Sequence, residues 1–196
     1  MSWRERVVEA VTVAGAGEAP EPLEEFAPLA VDVAPHRWVA SASALRDAAG
    51  CTYFDWLSAV DELDDGFRIV CHLAALTDGG VDHVLLRTLV PREQPRVHSL
   101  VGLYAGAAWH ERETHEMFGI EFVGGPNEPL LLPDGFEGHP LRKDFYLVSR
   151  VVKAWPGAKE PGESDATAAP SRRRVAPPGI PDPVQWGPRD PEGHDG

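Results

Sequence analysis

The chain has 196 residues, 43% hydrophobic and 25% charged, a balance suited to one globular domain plus a tail. Its formal net charge of −13 argues against nucleic acid as a general partner, because phosphate binding needs a basic face. No apolar run approaches the roughly 20 residues that span a bilayer, no signal-peptide pattern opens the chain, and Cys51 and Cys71 are expected to be reduced thiols of a cytosolic protein.

Residues 3–13 place Val7, Val8 and Val11 close to one face of a short amphipathic helix. The stretch from Ala14 to Pro28, rich in Gly, Pro and Glu, reads as a connector. Leu29, Val31 and Val33 then alternate as a strand, and residues 41–50 read as a helix stopped by Gly50. Three β-type runs follow, 51–63, 67–76 and 81–90, separated by Asp64-Asp65-Gly66 and by Thr77-Asp78-Gly79-Gly80. Such short polar turns predict antiparallel pairing in a meander. Phe67, Ile69, Cys71 and Leu73 share one face of the central run, with Arg68, Val70 and His72 on the other. One face is therefore expected to be buried and the other wet or covered by a partner.

A helical region is expected from about Ser99 to Phe118, with Gly102 and Gly106 as candidate breaks. From Pro126 onward prolines and glycines dominate, so the chain is expected to be disordered or laid along another protein. The fold class is thus α+β: a mostly antiparallel sheet with helices on one face, then an extended C-terminal segment. Its parts are a helix and connector (1–24), the α+β domain (25–124), a partner-clamping segment (125–150) and a Pro/Arg-rich tail (151–196). In that tail Arg172-Arg173-Arg174 reads as a solvated charge run.

No enzymatic motif survives inspection. His110-Glu111-Arg112-Glu113-Thr114-His115 imitates the zinc-protease pattern, but its histidines are five apart. On a helix that separates them by roughly 140° instead of roughly 40°. A free-standing metal hydrolase using His110 and His115 is the remote alternative. Two cysteines cannot hold an iron–sulfur cluster, and neither a dinucleotide fingerprint, a phosphate loop nor a nucleophile elbow is present. No catalytic, cofactor-binding or metal-binding residue is expected on this chain.

Charge instead rings the helix of residues 109–118. Trp109, Arg112, Glu113 and Glu116 fall within one arc, Glu111 and His115 in another, while Met117 and Phe118 point elsewhere. Two readings stay open: surface pairs such as Arg112 with Glu116, or a charged arc covered by a partner or by the following loop. That loop alternates prolines (126, 129, 133 and 140) with apolar anchors, Leu130 to Leu132, Phe136, Leu141 and Phe145. His139, Arg142 and Lys143 form a basic cluster suited to an acidic groove on a neighbour.

Here a family resemblance becomes specific. Glu111-Arg112-Glu113, two residues, then Glu116-Met117-Phe118-Gly119-Ile120 resembles the signature of the C-subunit family of respiratory NADH:quinone oxidoreductase, complex I. The stretch from Pro133 to Asp144 is similar to that family's second characteristic segment, and the resemblance covers roughly 25–147. It implies a non-catalytic scaffold in the hydrophilic arm, on the cytoplasmic side of the membrane. The iron–sulfur clusters, FMN and quinone would belong to partner subunits. The segment after the signature would wrap the D-like subunit that holds the quinone site. Docking falls to Trp109, Glu111, Arg112, Glu113, Glu116 and Phe118, and clamping to His139, Arg142, Lys143 and Asp144. An equivalent subunit of a membrane-bound hydrogenase or other donor:quinone complex is the alternative. Gly125 and Asn127-Glu128 depart from the family pattern, which usually has a histidine or lysine and then basic residues, so a salt bridge there is missing or replaced.

Overall fold

The computed structural model describes residues 2–15, 21–23, 28–77 and 79–145; the expectations for 146–150, the tail and its three arginines lie outside them. Helix α1 (Trp3–Ala14) starts on a capping box. The Glu5 amide donates to Ser2 Oγ at 3.2 Å, and the Ser2 amide to Glu5 Oε2 at 2.6 Å. Its buried face, Val7, Ala10 and Val11, joins the central core, and Trp3 Nε1 donates to the Ala49 carbonyl at 3.0 Å. Helix α2 (Trp38–Ala48) begins three residues earlier than the sequence suggested. A 3-10 turn at Pro35–Arg37 starts the winding, helped by the fixed φ of proline. It ends where Gly50 takes φ 76°, a left-handed conformation that costs glycine little.

The main sheet contains β1 (Glu21–Leu23), β2 (Leu29–Asp32), β3 (Tyr53–Asp61), β4 (Phe67–Thr77) and β5 (Gly80–Val90), in the order β1-β2-β5-β4-β3. The meander β3-β4-β5 is antiparallel throughout, as its short turns require. Strand β2, however, lies parallel to β5, with Leu29 opposite Val84 and Asp32 opposite Arg87. The chain between them passes through α2 and two strands, long enough for the crossover a parallel pair needs. Strand β1, within the stretch read as a connector, pairs antiparallel with β2.

Strand alternation was read correctly: Phe67, Ile69, Cys71 and Leu73 are fully buried and pack with Trp38, Leu45, Leu57 and Leu86. All three helices bury against that face. Burial pushes the Cys51 thiol up to about 12 and raises that of Cys71, so neither is a nucleophile at neutral pH.

The expected helical region divides. Residues 101–103 and 105–106 form turns, and helix α3 runs only from Ala107 to Phe118, with Gly106 at its N-terminal boundary. A parallel two-stranded sheet, β6 (Arg96–His98) with β7 (Glu121–Val123), flanks α3 in sequence. Three-residue strands carry too little alternation to announce themselves. Gly119, at φ 72°, terminates α3 and turns the chain into β7.

Candidate docking site on helix α3 and its following loop

Two glutamates of α3 are buried, and each accepts backbone N–H groups of its own chain, one at Glu111 and three at Glu116. Glu111 is fully enclosed: Oε1 accepts the Leu100 N–H at 2.6 Å and Oε2 the Ser99 hydroxyl at 2.7 Å. Burial raises its pKa, and those two hydrogen bonds oppose the rise. Glu116 accepts three amides, from Leu130 at 3.2 Å, Leu131 at 2.7 Å and Leu132 at 3.0 Å. A proline-punctuated loop has no ladder to satisfy its N–H groups, so a carboxylate beneath it serves as their common acceptor.

Gly125 and Asn127 are each accounted for by contacts within the chain. A Cβ on Gly125 would stand 2.6 Å from both Glu111 Oε2 and Ser99 Oγ, so only glycine lets the chain close over that pair. Asn127 pairs with the backbone of β7, accepting from the Phe122 amide and donating to the Phe122 carbonyl, both at 3.1 Å.

Arg112 does not pair with Glu116 along the helix. Its guanidinium donates to the Glu128 and Pro129 carbonyls and lies over the Trp109 ring, 5.4 Å from its centroid. The opposite end of α3 is held by the residues expected to clamp a neighbour. His139 Nδ1 donates to the Glu116 carbonyl at 2.8 Å, the Leu141 amide to Met117 at 3.2 Å, and Arg142 Nε to Phe118 at 2.6 Å. Helix ends leave carbonyls without intrahelical partners, and basic groups suit the negative end of the helix dipole. Burial lowers the pKa of His139, which the Glu116 carbonyl partly offsets.

Asp61, at the end of β3, fastens the loop's far end. It accepts the Leu63 amide at 2.9 Å, the Lys143 amide at 2.8 Å and two nitrogens of Arg92 at 3.0 and 3.1 Å. Burial pushes its pKa up, but these partners outweigh that and hold the carboxyl below its usual value. Arg92 also reaches Asp144 at 3.3 Å. The guanidinium groups of Arg92 and Arg142 lie 4.9 and 5.0 Å from the centroid of the Phe67 ring, which meets Phe118 edge-on.

The expected docking and clamping residues therefore divide. Glu111, Glu116 and Phe118 are buried, and His139 and Arg142 are turned onto the helix end, so these five organise the site from within. Arg112 is half-buried, and the side chains left outward are Trp109, Glu113, Lys143 and Asp144. The structure adds Leu131 and Leu141, 60% and 54% exposed, to a Trp109 that is itself 64% exposed. Sequence reasoning missed Asp61, Arg92 and Ser99, and marked Asn127 only as a departure from the resemblance. Only Asp61 carried a signal, an acid in register with Leu57 and Ala59 on the core face of a strand.

The two helix histidines diverge: His110 packs edge-on against Phe54 at 5.4 Å, and His115 Nδ1 donates to the Ile120 carbonyl at 2.9 Å. Among the described residues no group of three or more His, Cys, Asp or Glu could hold a metal ion, and no helix is long and apolar enough to cross a membrane.

The chain is 43% identical over 129 residues to the C subunit of NADH-quinone oxidoreductase from Roseiflexus sp. (strain RS-1), covering 63% of this chain and 73% of that protein. It is 38% identical over 133 residues to the C/D subunit of NADH-quinone oxidoreductase from Gluconacetobacter diazotrophicus, covering 59% of this chain and 22% of that one. Among solved structures, a trypsin-resistant fragment of Nqo5 aligns with a TM-score of 0.53 and 27% identity, over 65% of this chain and all of that one. A chain of an archaeal membrane-bound sulfane sulfur reductase shares the fold, with a TM-score of 0.62 and 21% identity over 82% of this chain and 99% of that one. Residues 31–151, a span that takes in the meander, α3 and the whole folded-back loop, match the family described as "Respiratory-chain NADH dehydrogenase, 30 Kd subunit", and the chain belongs to that family.

Proposed function

We propose that this chain is a non-catalytic scaffold subunit of the peripheral arm of a proton-translocating NADH:quinone oxidoreductase. It holds cluster-bearing and quinone-site neighbours at fixed separation, so that electrons pass from NADH through iron–sulfur clusters to quinone. The iron–sulfur clusters, FMN and quinone reside on those neighbours, and the chain sits peripherally on the cytoplasmic side of the membrane. The observation that carries the reading is the loop of residues 127–145, pinned to α3 by Glu116 at one end and to β3 by Asp61 at the other. A loop fixed before binding loses little entropy on docking.

Trp109, Glu113, Leu131, Leu141, Lys143 and Asp144 form the outward contact surface, while the buried set shapes it. An exposed aromatic ring stacked by an arginine is the kind of anchor that dominates interface energetics. The D-like subunit is the natural partner. The Gluconacetobacter relative carries C and D in one name, and the matched part is only 22% of its length.

The test is affinity recovery of the full assembly through a tag on this chain. Replacing Arg112 and Glu113 by alanine should reduce recovery of the D-like subunit by about ten-fold, the scale of roughly 1.4 kcal/mol, while the chain alone keeps its helical circular dichroism. Unchanged recovery of the arm from that variant would overturn the reading.

A further inference from the structure

The loop that folds back on α3 leaves a space beneath it. A cavity of about 240 Å³ is lined on the helix side by His115 and Glu116, and on the loop side by Pro129, Leu132, Pro133 and Phe136. Pockets for small molecules start at roughly 300 Å³, so this one suits a single side chain.

The side-chain hydrogen-bonding groups of the lining accept and have no donor to spare. His115 and His139 each donate Nδ1–H to a backbone carbonyl, that of Ile120 at 2.9 Å and that of Glu116 at 2.8 Å. In the neutral ring this leaves Nε2 as an acceptor. Burial holds the His139 pKa below its ordinary value, so that ring is neutral near neutral pH. Asn127, also on the lining, uses both amide hydrogens on the Phe122 and Gly125 carbonyls. Glu116 and Asp134 add carboxylates. Three neutral amides leave the Glu116 charge uncompensated, and Asp134 has no partner among the described residues.

Among the described residues no lysine or arginine lines the cavity. Arg112 is engaged by the Glu128 and Pro129 carbonyls, and Arg142 by that of Phe118. Residues 109–139 hold seven acids against Arg112 alone. An apolar occupant would bury acceptors without partners, and an anion would face two carboxylates. A cation with several N–H groups meets both conditions. Of the two such side chains, the guanidinium is the more weakly hydrated, lies flat on rings and reaches several acceptors at once. Phe136 offers a ring of that kind, stacked on Phe145 at 6.1 Å between centroids.

We infer that the cavity between α3 and its following loop receives an arginine side chain from a neighbouring subunit. Asp134 supplies the ion pair and Phe136 the stacking surface. The inference rests on the scaffold reading for the source of that arginine. An arginine seated in such a cavity loses its water, which is the usual setting of an interface hot spot.

Two measurements on the full-length chain separate this inference from the scaffold reading. Alone in solution the chain should bind ethylguanidinium, with magnetic resonance signals of Gly135, Gly138 and the His115 ring shifting saturably in the millimolar range. Ethylammonium should bind several-fold more weakly, and Asp134→Asn should weaken ethylguanidinium binding by about five-fold. No saturable shift, equal binding of both cations, or unchanged binding by Asp134→Asn would overturn the inference whatever the chain assembles with.

In the assembly recovered through a tag on this chain, phenylglyoxal labelling should find an arginine of a neighbouring subunit protected. Asp134→Lys should lower that recovery by about ten-fold, the scale of roughly 1.4 kcal/mol, and leave the free chain's thermal midpoint unchanged. Full recovery with Asp134→Lys would overturn the inference. Protection of Arg172, Arg173 or Arg174 in the free chain would do so too, by making its own tail the occupant. A chain that binds ethylguanidinium yet brings down no neighbour would sink the scaffold reading, and with it the neighbour as the source of the arginine.

Discussion

The Glu116 carboxylate meets the Leu131 amide at 2.7 Å, and the same carboxylate takes the amides on either side. One side chain on a regular helix thereby dictates the path of a loop fifteen residues later. Replacing Glu116 by alanine strands three amides and should cost about 3 kcal/mol, given roughly 1 kcal/mol or more for each hydrogen bond to a charged group. A lower thermal midpoint together with protease cleavage between residues 127 and 139 would show the loop released. Cleavage no faster than in wild type would mean that other contacts suffice.

Gly125 should tolerate no side chain. Alanine there must push aside Ser99 or Glu111, an overpacking cost of about 1–3 kcal/mol. Adding Ser99→Gly to Gly125→Ala should recover part of the loss, because it clears both the Ser99 Oγ and the Ser99 Cβ, 2.6 and 2.8 Å from the added methyl. Urea unfolding of the two single variants and the double variant measures this coupling.

Acid should release the loop in two stages. His139 has a folded pKa below its ordinary 6.5, so the unfolded chain binds the proton more readily; its contribution falls as pH drops from about 6.5 through the folded value. Asp61 has a folded pKa below 3.8, so its contribution is full above that value and fades as pH falls through the folded one. Glu111 works the other way: its raised pKa means stability is lost as pH rises from 4.5 through the folded value. His139→Gln should remove the first stage from a pH series of thermal midpoints and leave the second.

Asp61→Asn should weaken attachment of residues 143–145 without disturbing the sheet. The amide still reaches one partner but no longer balances Arg92, which leaves a half-buried cation; about 2–3 kcal/mol is at stake. Faster amide exchange at Lys143, with unchanged exchange in β4, is the expected signature.

The meander was legible because its turns are short and polar, which leaves antiparallel pairing as the simple outcome. The parallel placement of β2 was not, since it depends on where α2 delivers the chain. On α3 the sequence left open surface pairs or a charged arc covered by a partner or by the following loop, and the loop covers Glu116 and engages Arg112. Glu111 and Glu116 point inward because irregular backbone on both flanks offers unpaired amides that only an acceptor can satisfy. Likewise the cluster of His139 and Arg142 looked like equipment for a neighbour. The open carbonyls at the end of α3, 23 and 24 residues upstream, supplied an acceptor nearer at hand. Periodicity reports which way a side chain points, but the partner it finds is set by tertiary packing.

The clasp between Asp61 and Lys143 joins residues 82 positions apart. Its formation requires the meander that places Asp61 and the wound last turn of α3, and the long loop it closes carries the larger entropic cost. Under the proposed scaffold role, a copy without that clasp presents no fixed contour for docking, so assembly would select chains whose folding is complete.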